Sequence, residues 1–236
     1  MPLRPAPTYV GPGARPIQMI VLDAGHGGHD PGASHHGLRE KDLNLDIVRR
    51  LRSALQAQGL SVTMTRDSDE FISLSRRPAV ATRVNADLFI SVHVNANNSR
   101  HISGIEVYYP RESQVNAQGS LPPRVHSSEV VTANPTIRQI LWDLLLSRSR
   151  NDSRRLAMHI CRAMRSKLRV RCRGVHGARF VVLREARMPA VLVEVGYVSN
   201  PEEAQRLGNP SYRQAAAEGI AQGIIAYVRQ LGLQHI

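Results

Sequence analysis

The stretch Ile20-Val21-Leu22-Asp23-Ala24-Gly25-His26-Gly27-Gly28 constrains the fold more than any other. An apolar, β-branched run of strand length breaks into glycines with a histidine set among them. That pattern reads as a buried strand ending in a tight loop. In an open α/β sheet, ligands bind just past the carboxyl ends of the strands, so His26 is expected at the mouth of a site.

The rest of the chain alternates. A loop from His29 to Arg39 leads into a helix from about Lys41, where Leu43, Ile47, Leu51 and Leu55 make one apolar stripe and Gly59 ends it. Ser61–Arg66 reads as a strand, Ser75–Asn85 as a short helix, Asp87–His93 as a second buried strand, and Gly104–Tyr109 as another. Residues 110–135 carry Pro110, Pro122, Pro123 and Pro135 without clear periodicity, too long for an ordinary connection. Helical patterning returns over Ile137–Ser147 and Ser153–Leu168. Arg179–Leu183 and Ala190–Val195 read as strands, and Tyr212–Leu231 as the last helix. The expected fold is α/β: a single twisted, mostly parallel sheet of about six strands, flanked by helices on both faces. Residues 1–16, rich in Pro and Gly, are expected to be a flexible lead-in to one domain over 17–236, with 110–136 as an insertion.

Charge narrows the partners. The chain carries a formal net charge of +12 and few aromatic residues. The field favours polyanions, while the shortage of aromatics argues against stacking on single-stranded bases, so no nucleic-acid partner is expected. No apolar run approaches the roughly 20 residues that span a bilayer, so no transmembrane segment is expected. Cys161 and Cys172 fit no CxxC pattern; paired cysteines and buried thiols are both open.

Four residues carry the chemistry. Glu194 lies in a nearly all-apolar strand, where a carboxylate costs several kcal/mol unless paired or bound to a metal. His93 ends another apolar strand, and alone it reads as a buried histidine donating to a carbonyl. Glu40, alone, reads as a favourable charge at a helix N-terminus, worth roughly 0.3–1 kcal/mol. Gly25-His26-Gly27-Gly28 does not match the GxGxxG of a phosphate cradle. His29, His35 and His36 read as surface residues. As a set, two imidazoles and one carboxylate make a three-ligand zinc site with an open position, and a second carboxylate can carry the proton.

The chain resembles the zinc-dependent N-acetylmuramoyl-L-alanine amidases, a family of cell-wall hydrolases. The matching segments are VLDAGHGGHDPGA (21–33), GLREKDLNLDIVRRL (37–51), TRDSDEFISLSRR (65–77), NADLFISVHVNA (85–96), RGVHGARFVVLREARMPAVLVEVGYVSNPEEA (173–204) and the last helix. The resemblance implies His26, Glu40 and His93 as ligands of one Zn2+ and Glu194 as the catalytic carboxylate. It implies peptidoglycan as partner, cut between N-acetylmuramic acid and L-alanine, in the periplasm or outside the cell, with a protein activator in prospect. Arg173 and Arg187 fall in matched segments and are candidates to meet stem-peptide carboxylates. Regulated members carry a helix whose glutamate plugs the metal site. Here Glu112 and Glu129 are the candidate plugs, but Pro122-Pro123 disfavours a long helix, so autoinhibition is expected to be partial or absent. The rival readings are another zinc peptidase acting within the stem peptide and a non-catalytic basic module binding wall polymer or nucleic acid. A monomer is the default.

Overall fold

The computed structural model describes residues 17–111 and 135–233, with side chains from residue 147 onward in the second stretch. The lead-in 1–16 and the candidate plugs Glu112 and Glu129 lie outside the described residues. In chain order the elements are β1 (Met19–Ala24), β2 (Ser34–His35), β3 (Leu38–Arg39), α1 (Glu40–Gln56), β4 (Ser61–Met64), α2 (Arg76–Arg83), β5 (Leu88–Asn95) and β6 (Ile105–Pro110). After them come α3 (Pro135–Leu168), β7 (Cys172–Ala178), α4 (Val181–Arg184), β8 (Ala190–Tyr197), α5 (Pro201–Gly208) and α6 (Pro210–Leu233).

Six strands form one sheet in the order β4-β1-β5-β8-β6-β7, while β2 and β3 make a small hairpin. β4, β1, β5 and β8 run parallel; β6 is antiparallel to β8 and parallel to β7. The expected mostly parallel sheet is therefore present. Alternate residues feed two cores. Ile20, Leu22, Ile90, Val92, Val191 and Val193 pack under α1, α3 and α6. Val21, Phe89, Ala190 and Leu192 meet Ala81 of α2 and Val182 and Leu183 of α4 on the other face. The predicted α1 stripe, Leu43, Ile47, Leu51 and Leu55, is buried throughout, each side chain contributing about 1.5–3 kcal/mol by leaving water.

Two expectations are corrected. The stretch Arg179–Leu183 is not a strand. Its apolar run is the single turn α4, which buries Val182 and Leu183, and the strand lies just upstream at Cys172–Ala178. That strand is half-exposed at the sheet edge and contains two glycines, so it lacks the apolar signature of a buried strand. The helices expected over 137–147 and 153–168 are one continuous helix. The polar run between them interrupts the hydrophobic stripe but contains no Gly or Pro to break the backbone. The short helix α5 went unread, although Asn200 accepts from the Glu203 amide at its N-cap and Pro201 begins it. Cys161 and Cys172 form a disulfide, with Cα atoms 6.0 Å apart, tying α3 to the start of β7.

Two buried arginines fix the end of β1. Arg66 donates from Nε to Ala24 O (2.9 Å) and from Nη2 to Gly25 O (2.9 Å) and Lys41 O (2.9 Å). Arg77 donates from Nη1 to Ala24 O (2.8 Å) and Asp23 Oδ1 (2.9 Å), and from Nη2 to His26 O (3.0 Å). Asp23 is fully buried and also accepts from Thr65 Oγ1 and Ser91 Oγ, each at 2.7 Å.

Removing one partner of a buried ion pair strands the other charge, which costs about 3–5 kcal/mol. Arg77→Ala is therefore expected to lower Tm by on the order of 10 °C in a thermal melt; an unchanged Tm contradicts the account. Helix packing gives a second test. A Cβ on Gly223 of α6 would stand 2.5 Å from Ile160 Cα of α3. Gly223→Ala is expected to destabilise by about 1–3 kcal/mol through overpacking, read as a shifted urea midpoint with an unchanged slope.

Candidate active site

The loop after β1 carries His26 in the left-handed backbone region, at φ 62. For a residue with a side chain this costs about 1–2 kcal/mol, and the carbonyl clamp of Arg66 and Arg77 holds it there. The strain aims the imidazole inward. Its Nδ1 donates to Asp30 Oδ2 at 2.7 Å, which leaves Nε2 facing Glu40 Oε1 at 3.2 Å.

Glu40 opens α1 and is buried. Its Oε2 accepts from the Ala33 amide (2.9 Å), and its Oε1 from the Val94 amide (3.2 Å). His93 Nδ1 lies 2.9 Å from the same Oε1. His26, Glu40 and His93 thus each offer a ligand atom, all within 4.8 Å of one another, and the group could hold a metal ion. The backbone leaves room for it. A Cβ on Gly25 would stand 2.2 Å from His93 Cε1, and one on Gly32 would stand 2.6 Å from Glu40 Oε2.

The electrostatics favour a cation. Burial raises the Glu40 carboxyl, but hydrogen bonds and charge from His26 and His93 outweigh it and hold the group far below the usual carboxylate range. Burial lowers the His26 imidazole, but Glu40 and Asp30 outweigh it, so the ring has an increased affinity for positive charge. An anionic carboxylate, two imidazoles and a carboxylate fixing one ring's tautomer are a donor set that fits a divalent metal.

Glu194 stands one strand away, paired in register with His93. The residue as a whole is half-buried, but its Oε2 is shut off from solvent and has no hydrogen-bond partner. Burial, then the charges of Glu40 and Glu106, push its carboxyl well above the usual range. β8 is a central strand, flanked by β5 and β6, so Glu194 does not stand at a sheet edge. His29 stacks on Phe71, and His35 and His36 lie exposed, apart from the cluster. Arg173 donates from Nε to Glu106 Oε1 at 3.3 Å; Arg187 is exposed between α4 and β8.

Several residues around the site went unread in the sequence. Asp30, Asn44 (which donates to Gly25 O at 3.2 Å) and Glu106 are among them, together with the two clamping arginines. In a chain so rich in arginine, no periodicity separates a buried guanidinium from a solvated one. Asp30 carried the one usable signal, a carboxylate four residues after a candidate ligand histidine.

The sequence pattern of the N-acetylmuramoyl-L-alanine amidase family matches residues 20–226. The amidase AmiA of Escherichia coli (strain K12) is 32% identical over 89% of this chain and 76% of its own length. AmiC of Neisseria meningitidis serogroup B is 36% identical over 92% of this chain. This chain spans 53% of AmiC and 76% of AmiA. Among solved structures, an N-acetylmuramoyl-L-alanine amidase from Clostridium difficile 630 superposes with a TM-score of 0.73 at 30% identity, covering 91% of this chain and 98% of that one. The CwlD amidase from Clostridioides difficile, solved in complex with the GerS lipoprotein, superposes at 0.72 with 26% identity, covering 90% and 99%. With the family's pattern running from β1 into the last helix, the chain belongs to the N-acetylmuramoyl-L-alanine amidases and is a peptidoglycan hydrolase of that kind.

Proposed function

We propose that this amidase is zinc-dependent, with His26 Nε2, Glu40 Oε1 and His93 Nδ1 as metal ligands and Glu194 as the proton carrier. The observation that carries the reading is a three-donor cluster beside a buried, unbonded carboxylate on the neighbouring strand. Bound to these donors, zinc supplies Lewis acidity, polarising the scissile carbonyl and bringing the pKa of a water near 7.

The chain's own residues do the rest. Asp30 accepts the Nδ1–H of His26, so that the Nε2 lone pair is kept free for a metal. The Ala33 and Val94 amides hold the Glu40 carboxylate in one orientation. Glu194 accepts the proton of the attacking water at its free Oε2 and delivers it to the departing nitrogen. A carboxyl raised by its surroundings is suited to both halves of that transfer near neutral pH. The bond broken joins the lactyl carbonyl of N-acetylmuramic acid to the L-alanine nitrogen. The products are a lactyl carboxylate and a free L-alanine amino terminus.

This substrate lies outside the cytoplasm, and the Cys161–Cys172 disulfide suits an oxidising compartment. Among the described residues no helix is long and apolar enough to cross a membrane. A protein partner belongs to the same reading, by analogy with the complex of CwlD and GerS.

Digestion of purified peptidoglycan tests the reading. The wild type is expected to release peptides with L-alanine amino termini, to lose activity on chelation and to regain it with Zn2+. Glu194→Gln is expected to keep its zinc and lose about 10²–10⁴ in kcat. Loss of zinc together with activity would make Glu194 a ligand instead. Glu40→Gln is expected to lose the metal itself, read by elemental analysis; a zinc-loaded Glu40→Gln protein rules out this ligand set.

A further inference from the structure

The excess positive charge has a location. From Ser153 to Arg184 there is no Asp or Glu, and there are ten Lys and Arg residues. The formal net charge of the whole chain is +12, so the remainder is close to neutral. On α3, Arg154, Met158, Arg162 and Arg165 recur every three or four residues, and Arg169 continues the series just past the helix end. They share one face, opposite the buried Leu156, Ile160 and Met164. Arg154, Arg162, Arg165, Arg169 and Arg171 are exposed and make no ion pair among the described residues. Along the helix axis Arg162 lies about 12 Å beyond Arg154, and Arg165 about 4.5 Å beyond Arg162.

The stripe runs toward the active site. α3 ends at Leu168, and the chain enters β7 at Cys172, between Arg171 and Arg173. Gly174 of β7 is level with Glu106 of β6, which is level with Glu194 of β8. Gly174, three residues past Arg171, is therefore about two strand spacings, roughly 10 Å, from Glu194 across the sheet, at the sheet end toward which α3 runs.

We propose that this stripe is a docking track for the carboxylates of peptidoglycan stem peptides that neighbour the one being cut. The proposal rests on the amidase reading for the identity of the polymer. The charge is complementary, and a polymer held along α3 is led to the sheet end that carries Glu194. The stripe has no aromatic side chain on which a base could stack, which disfavours nucleic acid. Its one apolar member, Met158, is too little to seat a helix in a bilayer.

The test compares the full chain with the combined variant Arg154→Gln, Arg162→Gln, Arg165→Gln and Arg169→Gln. Binding is measured by co-sedimentation with sacculi stripped of phosphate polymers, both proteins carrying Glu194→Gln to prevent cutting. The expected result is at least tenfold weaker binding by the variant, with an unchanged Tm. Amidating the sacculus carboxylates is expected to weaken the parent to the same level. With Glu194 restored, the variant is expected to hydrolyse a soluble muramoyl-L-alanyl peptide within twofold of wild type and intact sacculi at least fivefold more slowly. Equal sedimentation of variant and parent overturns the proposal. So does binding indifferent to amidation, or a parent that binds phosphatidylglycerol vesicles or polyphosphate and not sacculi. A wild type that cuts no soluble peptide yet sediments through these arginines defeats the amidase reading alone.

Discussion

Everything at the site depends on carbonyl oxygens that no strand receives. At the end of β1 the chain leaves the sheet, and the carbonyls of Ala24, Gly25 and His26 turn toward Arg66 and Arg77. A buried backbone carbonyl without a partner is costly, and a guanidinium with its donors fixed in a fork can satisfy several at once. The buried Asp23 offsets part of the positive charge that this solution introduces. His26 sits in an unfavourable backbone region between carbonyls that the two arginines hold. The same two arginines reach α1 at Lys41 O and the loop before α2 at Ile72 O. Thus the first residue of α1, Glu40, is positioned by the groups that position His26.

The sheet contributes a second constraint, the levelling of side chains across strands. His93, Glu194 and Glu106 are paired in sequence across β5, β8 and β6. Directly opposed residues point to the same side, so three chemistry-bearing groups share the face away from α1, α3 and α6. Among the described residues, α2 and the single turn α4 cover that face. The three long helices supply the larger core on the opposite face.

Legibility followed the same division. The central strands and α1 were readable because burial imposes a period: Leu43, Ile47, Leu51 and Leu55 admit only a helix, and Val191–Val195 only a buried strand. The three-donor cluster was legible as residue types, and its convergence came from resemblance to a family, since the donors are far apart in the chain. β7 was missed because an edge strand with glycines obeys no such period. α4 was misread because four apolar residues fit a strand as well as one helical turn. The run between residues 147 and 153 looked like a break because polarity was taken for backbone geometry. Arg66 and Arg77 were invisible for a different reason: their role is set by carbonyls distant in sequence, and nothing in a local window marks it.

The row across the sheet also separates two carboxyls of the same kind. Burial raises Glu106, but Tyr197, Tyr108 and Arg173 all donate to it and bring it below the usual carboxylate range. It is a fixed anion, with its lone pairs already engaged. Glu194, level with it on the next strand, has no donor to its Oε2 and is pushed the other way by burial and by the charges of Glu40 and Glu106. Two acids in adjacent registers thus acquire opposite tendencies from their surroundings alone. On the proposed reading, this opposition leaves Glu194, and not the thrice-bonded Glu106, free to carry the proton.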